Sequence, residues 1–487
     1  MDEKEKQSDY SKFGLKCGLE IHQQLDSKKL FCDCPSVLRN DEPDFVVARK
    51  LHAIAGEEGS VDIAAEFEAG LEREFIYQGY DDNTCLVELD EEPPHKINQE
   101  ALKTAIQISL LLNCRIVPLT QIMRKTVIDG SNTSGFQRSV LIAQDGYIEV
   151  SNKKIGIDYV YLEEDAARII EKTNDQIIFR LDRLGIPLVE IVTSPDIKTP
   201  EECKEVAMHI GNILRSCKVK RGIGTIRQDI NISIKGHPRA EIKGFQDPKI
   251  FVEVVKKEIE RQKNDLKENK KNLVPEVRGA NEDSTTKFLR PMPGKARMYP
   301  ETDLALLKIS REVINDAKKT LPKLKSVIEG ELKEKGLNHE MIKLILNKNK
   351  LDEFKDLIDI FDNPNLIAKM LLIFPAEISS HENISSDRID KFLNKDVLVF
   401  ILEQLKINKI SEHQIKQIMT RIAKGTLIKD AVLFKKEDNN IIEEFVLKLI
   451  KEKPGLSENA YMGLIMKEFK SKISGKEAAD LIKKFMG

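Results

Sequence analysis

The chain has 487 residues, enough for roughly two to four domains, and its 41% hydrophobic and 32% charged composition is typical of a soluble globular protein. A formal net charge of −2 gives no general attraction to polyanions, so contact with a nucleic acid would require a local basic patch. The polar N-terminus and the lack of a long apolar run predict neither a signal peptide nor a membrane span. Seven scattered cysteines indicate reduced thiols, so we expect a cytoplasmic protein.

Apolar and polar side chains alternate in the first strand-like segment, GLEIHQQL, at residues 18–25. A period of two places Glu20 and His22 on one face of a strand. The pattern indicates an ordinary amphipathic strand if that face meets solvent, and a paired carboxylate and imidazole if it lines a cleft.

Two cysteines, Cys32 and Cys34, follow this strand at a spacing that suggests zinc. A structural zinc site needs four ligands, usually from two short-spaced pairs. No other cysteines form a second such pair, so we predict a plain turn ahead of Pro35.

A loop of small residues, Gly130–Gly135, lies among basic residues in MRKTVIDGSNTSGFQRS. Its backbone amides, with Arg124, Lys125 and Arg138, would suit a phosphate, although serine- and glycine-rich loops are more often ordinary turns.

Carboxylates recur in two further strand-like segments. Glu163, Glu164 and Asp165 stand in a row, and Glu190 lies alone in the apolar run 188–192. A lone buried carboxylate is costly unless it is paired or binds a cation. We therefore expect Glu190 to hold a cation or to form a core ion pair, with Arg183 as the candidate partner.

The segment GIGTIRQDINISIKG alternates isoleucines with polar residues that include Arg227 and Asp229. Glu241 and Lys243 follow in what looks like the second strand of a hairpin. Polar groups of both signs on one sheet face suit a phosphate and its magnesium, and a solvated outer face is the alternative.

Beyond residue 305 the sequence changes to lysine- and isoleucine-rich stretches with apolar residues three and four apart, which predict helices. The first part predicts a sheet with helices, and the last fifty or so residues predict a small helical module. The expected fold class is thus α+β, followed by an all-helical region.

Several long motifs occur together in one order: GLEIHQQLDSKKLFCDCPS, NTCLVELDEEPPHKIN, MRKTVIDGSNTSGFQRS, YLEEDAARII, RLDRLGIPLVEIVTSPDI, GIGTIRQDINISIKG and FLRPMPGKARMYPETD. Their set and order resemble the GatB/GatE family, the synthetase-side subunits of glutamyl-tRNA(Gln) amidotransferases. The loop motif and the last motif resemble the archaeal GatE branch, and the second cysteine pair usual in the bacterial GatB branch is missing. The aspartyl-tRNA-synthetase-like insert usual in the GatE branch is also missing, and the stretch at 267–288 is predicted to be a linker.

The resemblance implies an antiparallel-sheet cradle domain at 1–305, a helical domain at 306–435 and a YqeY-like tail at 436–487 that binds tRNA. It implies ATP-dependent conversion of Glu-tRNA(Gln) to Gln-tRNA(Gln), in which the glutamyl γ-carboxylate is phosphorylated and then amidated. The cofactors it implies are ATP and Mg²⁺. The ammonia would come from an asparaginase-like glutaminase of the GatD type, so a hetero-oligomer is expected.

The same resemblance assigns the site residues. It places magnesium at His22, Glu164 and Glu190, and catalysis at these residues and Glu20. The nucleotide contacts expected are Arg124, Lys125, Ser134, Arg227 and Asp229. Two other interpretations remain open: a GatB-type chain of the heterotrimeric Glu/Asp-tRNA enzyme, and a non-catalytic tRNA-binding scaffold of the same fold.

Overall fold

The computed structural model describes residues 10–53, 59, 61–245, 250–268, 270, 272–292, 294, 298–348, 350–433, 439–469 and 475–486. The strands are β1 (Lys16–Gln24), β2 (Phe45–Arg49), β3 (Glu74–Gly79), β4 (Arg115–Ile116), β5 (Leu119–Thr120), β6 (Ile122–Thr126), β7 (Phe136–Val150), β8 (Lys153–Glu164), β9 (Arg168–Lys172), β10 (Gln176–Arg180), β11 (Pro187–Thr193), β12 (Ile226–Ser233), β13 (Ala240–Phe245), β14 (Glu276–Ala280), β15 (Thr286–Pro291), β16 (Met298–Pro300) and β17 (Leu307–Lys308).

The helices are α1 (Ile63–Ala69), α2 (Gln99–Leu111), α3 (Pro200–Ser216), α4 (Phe251–Lys267), α5 (Arg311–Lys319), α6 (Lys325–Glu334), α7 (His339–Asn347), α8 (Leu351–Ile358), α9 (Pro364–Ala368), α10 (Phe374–Glu382), α11 (Ser386–Phe392), α12 (Lys395–Lys406), α13 (Ile415–Ala423), α14 (Ile428–Ala431), α15 (Asn439–Glu452), α16 (Glu458–Glu468) and α17 (Gly475–Met486). None of the helices in the described ranges is long and apolar enough to cross a membrane.

An eleven-stranded sheet organises the first part of the chain. Its main path runs β15-β14-β13-β12-β1-β11-β8-β7-β6-β16, with β4 paired to β7. The pairs are antiparallel except for β13 and β14, which run parallel. A second sheet has the order β2-β3-β10-β9, and β5 pairs with β17.

Helices α2, α3 and α4 pack on one face of the large sheet. The apolar members of the alternating strands, such as Leu19, Ile21, Ile191 and Ile230, are fully buried in this core. Helix α3 begins at Pro200 with Thr199 as its N-cap, an arrangement that supplies the first turn with an acceptor. Because strand side chains alternate, the polar members of the same strands lie together on the other face.

The stretch predicted to be a linker contributes strands instead. Within 267–288, β14 pairs with β13 and with β15 at the edge of the large sheet, and Val277 is fully buried. The expectation of a plain linker is therefore wrong for these residues. The charged composition of this stretch does not indicate a strand, because β14 is stabilised by pairing with β13 and β15.

The chain divides into two compact units, Met1–Lys325 and Ser326–Gly487. In the first unit, Ala317 of α5 is buried in the core under the sheet, and Gln107 of α2 donates a hydrogen bond to the Thr320 carbonyl at 2.7 Å. The second unit contains two apolar clusters, one over residues 332–432 and one over 442–482. The fold class α+β is confirmed, while the domain boundaries at 305 and 435 remain predictions.

Candidate active site on the polar face of the sheet

The central strand β1 places two polar side chains between its neighbours. His22 lies opposite Glu190 of β11 on one side and Arg227 of β12 on the other. Glu20 lies opposite Asp229. The period of two predicted for β1 is therefore confirmed, and its polar face belongs to a cluster of charged groups.

The centre of this face is an acidic cluster, by which we mean Glu20, His22, Glu163, Glu190 and Asp229. His22 Nε2 lies 3.3 Å from Glu190 Oε2 and 3.6 Å from Glu20 Oε1. Ligand atoms of His22, Glu163 and Glu190 all lie within 4.8 Å of one another, and so do those of Glu20, His22 and Asp229. The imidazole thus lies between two groups of carboxylates.

Lys125 supplies a positive charge beside this cluster. Its Nζ lies 2.8 Å from Glu163 Oε1 and 3.3 Å from Glu190 Oε2. Gln137 of β7 donates a hydrogen bond to the other oxygen of Glu163 at 3.1 Å. The predicted alternative partner of Glu190, Arg183, lies near Asp165 instead and donates to the carbonyls of residues 166 and 167.

The structure does not bring Glu164 together with His22 and Glu190; Glu163 occupies that place. Glu163 follows Tyr161 by two residues, and Tyr161 lies directly opposite Glu190. Glu164 therefore points to the other face, where its carboxylate lies 3.4 Å from Arg138 Nη1. Of the predicted triad, His22 and Glu190 lie together, and Glu163 stands where Glu164 was expected.

Burial and charge shift the pKa values of the cluster in different directions. Burial alone would lower the pKa of His22, but the hydrogen bond with Glu190 and nearby negative charges raise it to about 9. Burial and the charge of Glu190 raise the pKa of Glu20 to about 7. Burial opposes ionisation of Glu190 too, but Lys125 and His22 hold its pKa well below the ordinary value. Near neutral pH the cluster therefore combines an ionised Glu190 with a protonated His22.

The remaining predicted residues are Asp229, which belongs to the cluster, Arg227, which lies opposite His22, and Ser134. Asp229 pairs with Lys243 at 2.8 Å, and Arg227 pairs with the fully buried Asp165 at 2.9 Å. Ser134 lies in the loop after β6 and donates to the Phe136 carbonyl at 2.9 Å.

Arg124 lies on the face opposite Lys125, because adjacent strand residues alternate. It pairs with Glu301, which is 1% exposed and whose other oxygen lies 2.8 Å from Arg138 Nε. Sequence reasoning missed Glu301, and the only signal was its place in the motif FLRPMPGKARMYPETD. Arg124 therefore forms an ion pair with the segment between β16 and β17 and does not face the acidic cluster.

The donor set of the acidic cluster fits magnesium. Magnesium prefers carboxylate oxygens and retains several waters, and four carboxylates surround His22. The ammonium of Lys125 already lies between Glu163 and Glu190, so this position attracts positive charge. Imidazole is an unusual direct ligand for magnesium, and His22 suits a contact through water.

Fold and site together define an α+β protein with a buried cluster of carboxylates around a histidine, a candidate cation site, on a mostly antiparallel sheet. Residues 15–315 match the family described as GatB/GatE catalytic domain, and the chain belongs to that family. The glutamyl-tRNA(Gln) amidotransferase E-subunit of Methanocaldococcus jannaschii is 37% identical, over 98% of this chain and 99% of the relative. The E-subunit of Methanococcus maripaludis is 50% identical, over 96% and 97%, and that of Archaeoglobus fulgidus is 34% identical, over 98% of each.

The alignment with the M. jannaschii protein extends over 627 positions, more than the 487 residues of this chain. That relative therefore has residues with no counterpart here, in agreement with the expected lack of an insert.

Proposed function

We propose that this chain activates and amidates the glutamyl group of Glu-tRNA(Gln), using ATP. The proposal is supported by membership of the GatB/GatE family and by relatives that are named as E-subunits of glutamyl-tRNA(Gln) amidotransferases. The observation that carries it is the acidic cluster with Lys125 on the polar face of the sheet.

In the first step the γ-carboxylate of the glutamyl group must attack the terminal phosphate of ATP. Both groups are negatively charged, so they repel each other. Bound magnesium would supply positive charge to the phosphate oxygens, and Glu163 and Glu190 would hold it with His22. Lys125 lies within reach of the same position and would neutralise the transferred phosphoryl group. The carboxylate oxygen forms the new bond to phosphorus, and ADP leaves.

The second step replaces phosphate by ammonia. Only the neutral form is a nucleophile, so a carboxylate must take a proton from the arriving ammonium or from the amine as it adds. Glu20 lies beside His22 at the edge of the acidic cluster and is our candidate for this acceptor. Arg227 and Asp229 on the neighbouring strand, with Ser134 in the loop Gly130–Gly135, are the proposed nucleotide contacts.

The supply of ammonia and the recognition of tRNA would depend on a partner chain and on residues outside the acidic cluster. We propose an asparaginase-like glutaminase as the partner that releases ammonia, and a cytoplasmic hetero-oligomer as the working form. The tail at 436–487 would contact the tRNA, and exposed lysines such as Lys483 and Lys484 near its end suit a phosphate backbone.

The test measures ATP cleavage by the purified complex with three RNAs: tRNA(Gln) charged with glutamate, tRNA(Glu) charged with glutamate, and uncharged tRNA(Gln). We expect stimulation by the first alone, together with formation of Gln-tRNA(Gln) when glutamine is present. Equal stimulation by uncharged tRNA(Gln) would contradict carboxylate activation. Co-purification of an amidase chain, in place of an asparaginase-like one, would instead favour the GatB-type enzyme.

A further inference from the structure

Three basic side chains lie around one buried carboxylate beside the acidic cluster. The carboxylate is that of Asp165, which follows the end of β8 and is 0% exposed. Arg183 comes from the turn between β10 and β11, Lys220 from the segment between α3 and β12, and Arg227 from β12 itself. Arg183, Lys220 and Arg227 form what we call the basic triad, and the fold brings its members together from separate segments.

Asp165 contacts the two arginines unequally. Arg227 Nη2 lies 2.9 Å from Asp165 Oδ1, whereas Arg183 Nε lies 3.9 Å from Asp165 Oδ2 and donates to the Ala166 carbonyl at 2.7 Å. The carboxylate also accepts hydrogen bonds from the Gln24 side chain at 2.6 Å and from the Ala166 amide at 2.9 Å. The hydrogen-bonding capacity of Asp165 is thus largely used without Arg183.

Three other carboxylates near the basic triad are already paired with other cations. These pairs are Asp182 with Arg168 at 2.6 Å, Asp229 with Lys243 at 2.8 Å, and Glu163 with Lys125 at 2.8 Å. They therefore contribute little toward balancing the charge of the triad.

Lys220 adds a third positive charge to the site. Its ammonium donates to the Ser36 carbonyl, and burial lowers its pKa, although nearby carboxylates, the exposed Asp26 among them, raise it. Burial lowers the pKa of Arg183 as well, and the charge of Arg227 lowers it further. Among the described residues, three cations therefore face one buried and one exposed carboxylate. A partly buried surplus of positive charge is costly unless an anion offsets it.

We propose that the basic triad binds a phosphate group beside the acidic cluster. The proposal rests on the proposed function and adds a second phosphate-binding position, built from cationic side chains. Guanidinium groups bind phosphate oxygens through paired N–H donors, and a lysine adds a point charge. The side chains of Arg183 and Arg227 are 25% and 34% exposed, which leaves them accessible to a ligand. Arg227 lies directly opposite His22, so the bound phosphate would adjoin the acidic cluster.

Two phosphates of the proposed reaction have the required chemistry. If the group is the β-phosphate of ATP, the basic triad would neutralise the charge that develops on ADP as it leaves. If the group is the phosphodiester nearest the 3′ end of the tRNA, the triad would position the glutamyl group at the acidic cluster. Binding of the nucleotide and binding of the tRNA, measured separately, distinguish these two sources.

The experiment uses the full-length chain purified with its partner and two probes. ADP with magnesium is titrated by calorimetry, and uncharged tRNA(Gln) is titrated by filter binding at several salt concentrations. The variants are Lys220→Met and Arg183→Gln, with Arg183→Lys as the charge-preserving variant. The matched control is Arg115→Gln on β4, which alters an arginine whose side chain is 62% exposed.

We expect Lys220→Met and Arg183→Gln to bind the same one of the two probes more weakly by about tenfold to a hundredfold. Arg183→Lys should recover part of this loss, and Arg115→Gln should match wild type. Weaker binding of ADP alone supports ATP as the source. Weaker binding of tRNA alone, with a salt slope reduced by about one, supports the RNA backbone.

Binding of both probes within about twofold of wild type in Lys220→Met and Arg183→Gln would overturn the proposal and leave the proposed function intact. Loss of both probes in Lys220→Met together with a lower melting temperature would show a structural role and would also overturn it. A wild-type complex that binds neither probe would contradict the proposed function, and the assignment of the basic triad with it.

Discussion

The substitutions Glu163→Gln and Glu164→Gln separate the site seen in the structure from the one expected from the sequence. Glu163→Gln removes a negative charge from the group with His22 and Glu190, whereas Glu164→Gln alters a carboxylate that faces Arg138. Glutamine keeps the shape of glutamate, so the two variants differ mainly in which face of β8 loses its charge.

The magnitude follows from the contacts. Glu163 Oε1 lies 2.8 Å from Lys125 Nζ, so the variant loses a charge-assisted contact worth about 1.5–3 kcal/mol. The same carboxylate would also contact bound magnesium. Loss of one charge-assisted contact to the ion, again about 1.5–3 kcal/mol, corresponds to magnesium binding weaker by about tenfold to a hundredfold. Glu164→Gln leaves Arg138 paired with Glu301, so we expect magnesium binding within about twofold of wild type and a loss of about 1–3 kcal/mol in stability.

The assay combines two measurements on each full-length variant: calorimetric titration with magnesium, and denaturant unfolding without metal. Both variants should be less stable, since each loses a charged contact, but only Glu163→Gln should bind magnesium weakly. The reverse assignment, with magnesium binding lost in Glu164→Gln and intact in Glu163→Gln, would refute the reasoning from strand alternation.

Three further predictions test the pH linkage, the buried ion-pair network and the loop. Magnesium must displace protons from Glu20 and His22, whose pKa values lie near 7 and 9. The magnesium affinity measured by calorimetric titration should therefore rise from pH 6 to pH 9. An affinity that does not change over this range would contradict the linkage. Glu301→Gln should destabilise the chain by about 3–5 kcal/mol in denaturant unfolding, because two arginines lose a fully buried partner; a change under about 1 kcal/mol would count against the network. Gly130→Ala should lower the melting temperature of the protein. An added Cβ would lie 2.2 Å from the Phe75 ring, and the residue has a φ of +84°, which favours glycine. An unchanged melting temperature would refute the close packing.

Local alternation was sufficient to predict the polar face of the sheet. The pattern around Glu20 and His22 placed both on one face, and cross-strand pairing with Asp229 and Glu190 confirms it. The same rule applied to 159–164 would have favoured Glu163, since Val160 and Leu162 are core residues and Glu164 shares their side of the strand.

Long-range neighbours could not be predicted in this way. Cys85 stands alone in the sequence, and only the fold brings it to Cys32 and Cys34. Glu301 likewise lies far along the chain from Arg124 and Arg138, although it joins them in the core. Spacing along a chain reports which side chains share a face, whereas contacts between distant segments depend on how the whole sheet is assembled.

The central claim is that the acidic cluster phosphorylates the glutamyl carboxylate, and an isotope measurement tests it most directly. Glu-tRNA(Gln) labelled with oxygen-18 in the γ-carboxylate is converted by the complex, and the released phosphate is analysed by mass spectrometry. We predict one labelled oxygen in each released phosphate. In Glu190→Gln the rate of phosphate release should fall by about a hundredfold or more. The control Glu171→Gln, which alters an exposed carboxylate, should release phosphate at the wild-type rate. Phosphate whose new oxygen comes only from water, or an undiminished rate in Glu190→Gln, would contradict the account.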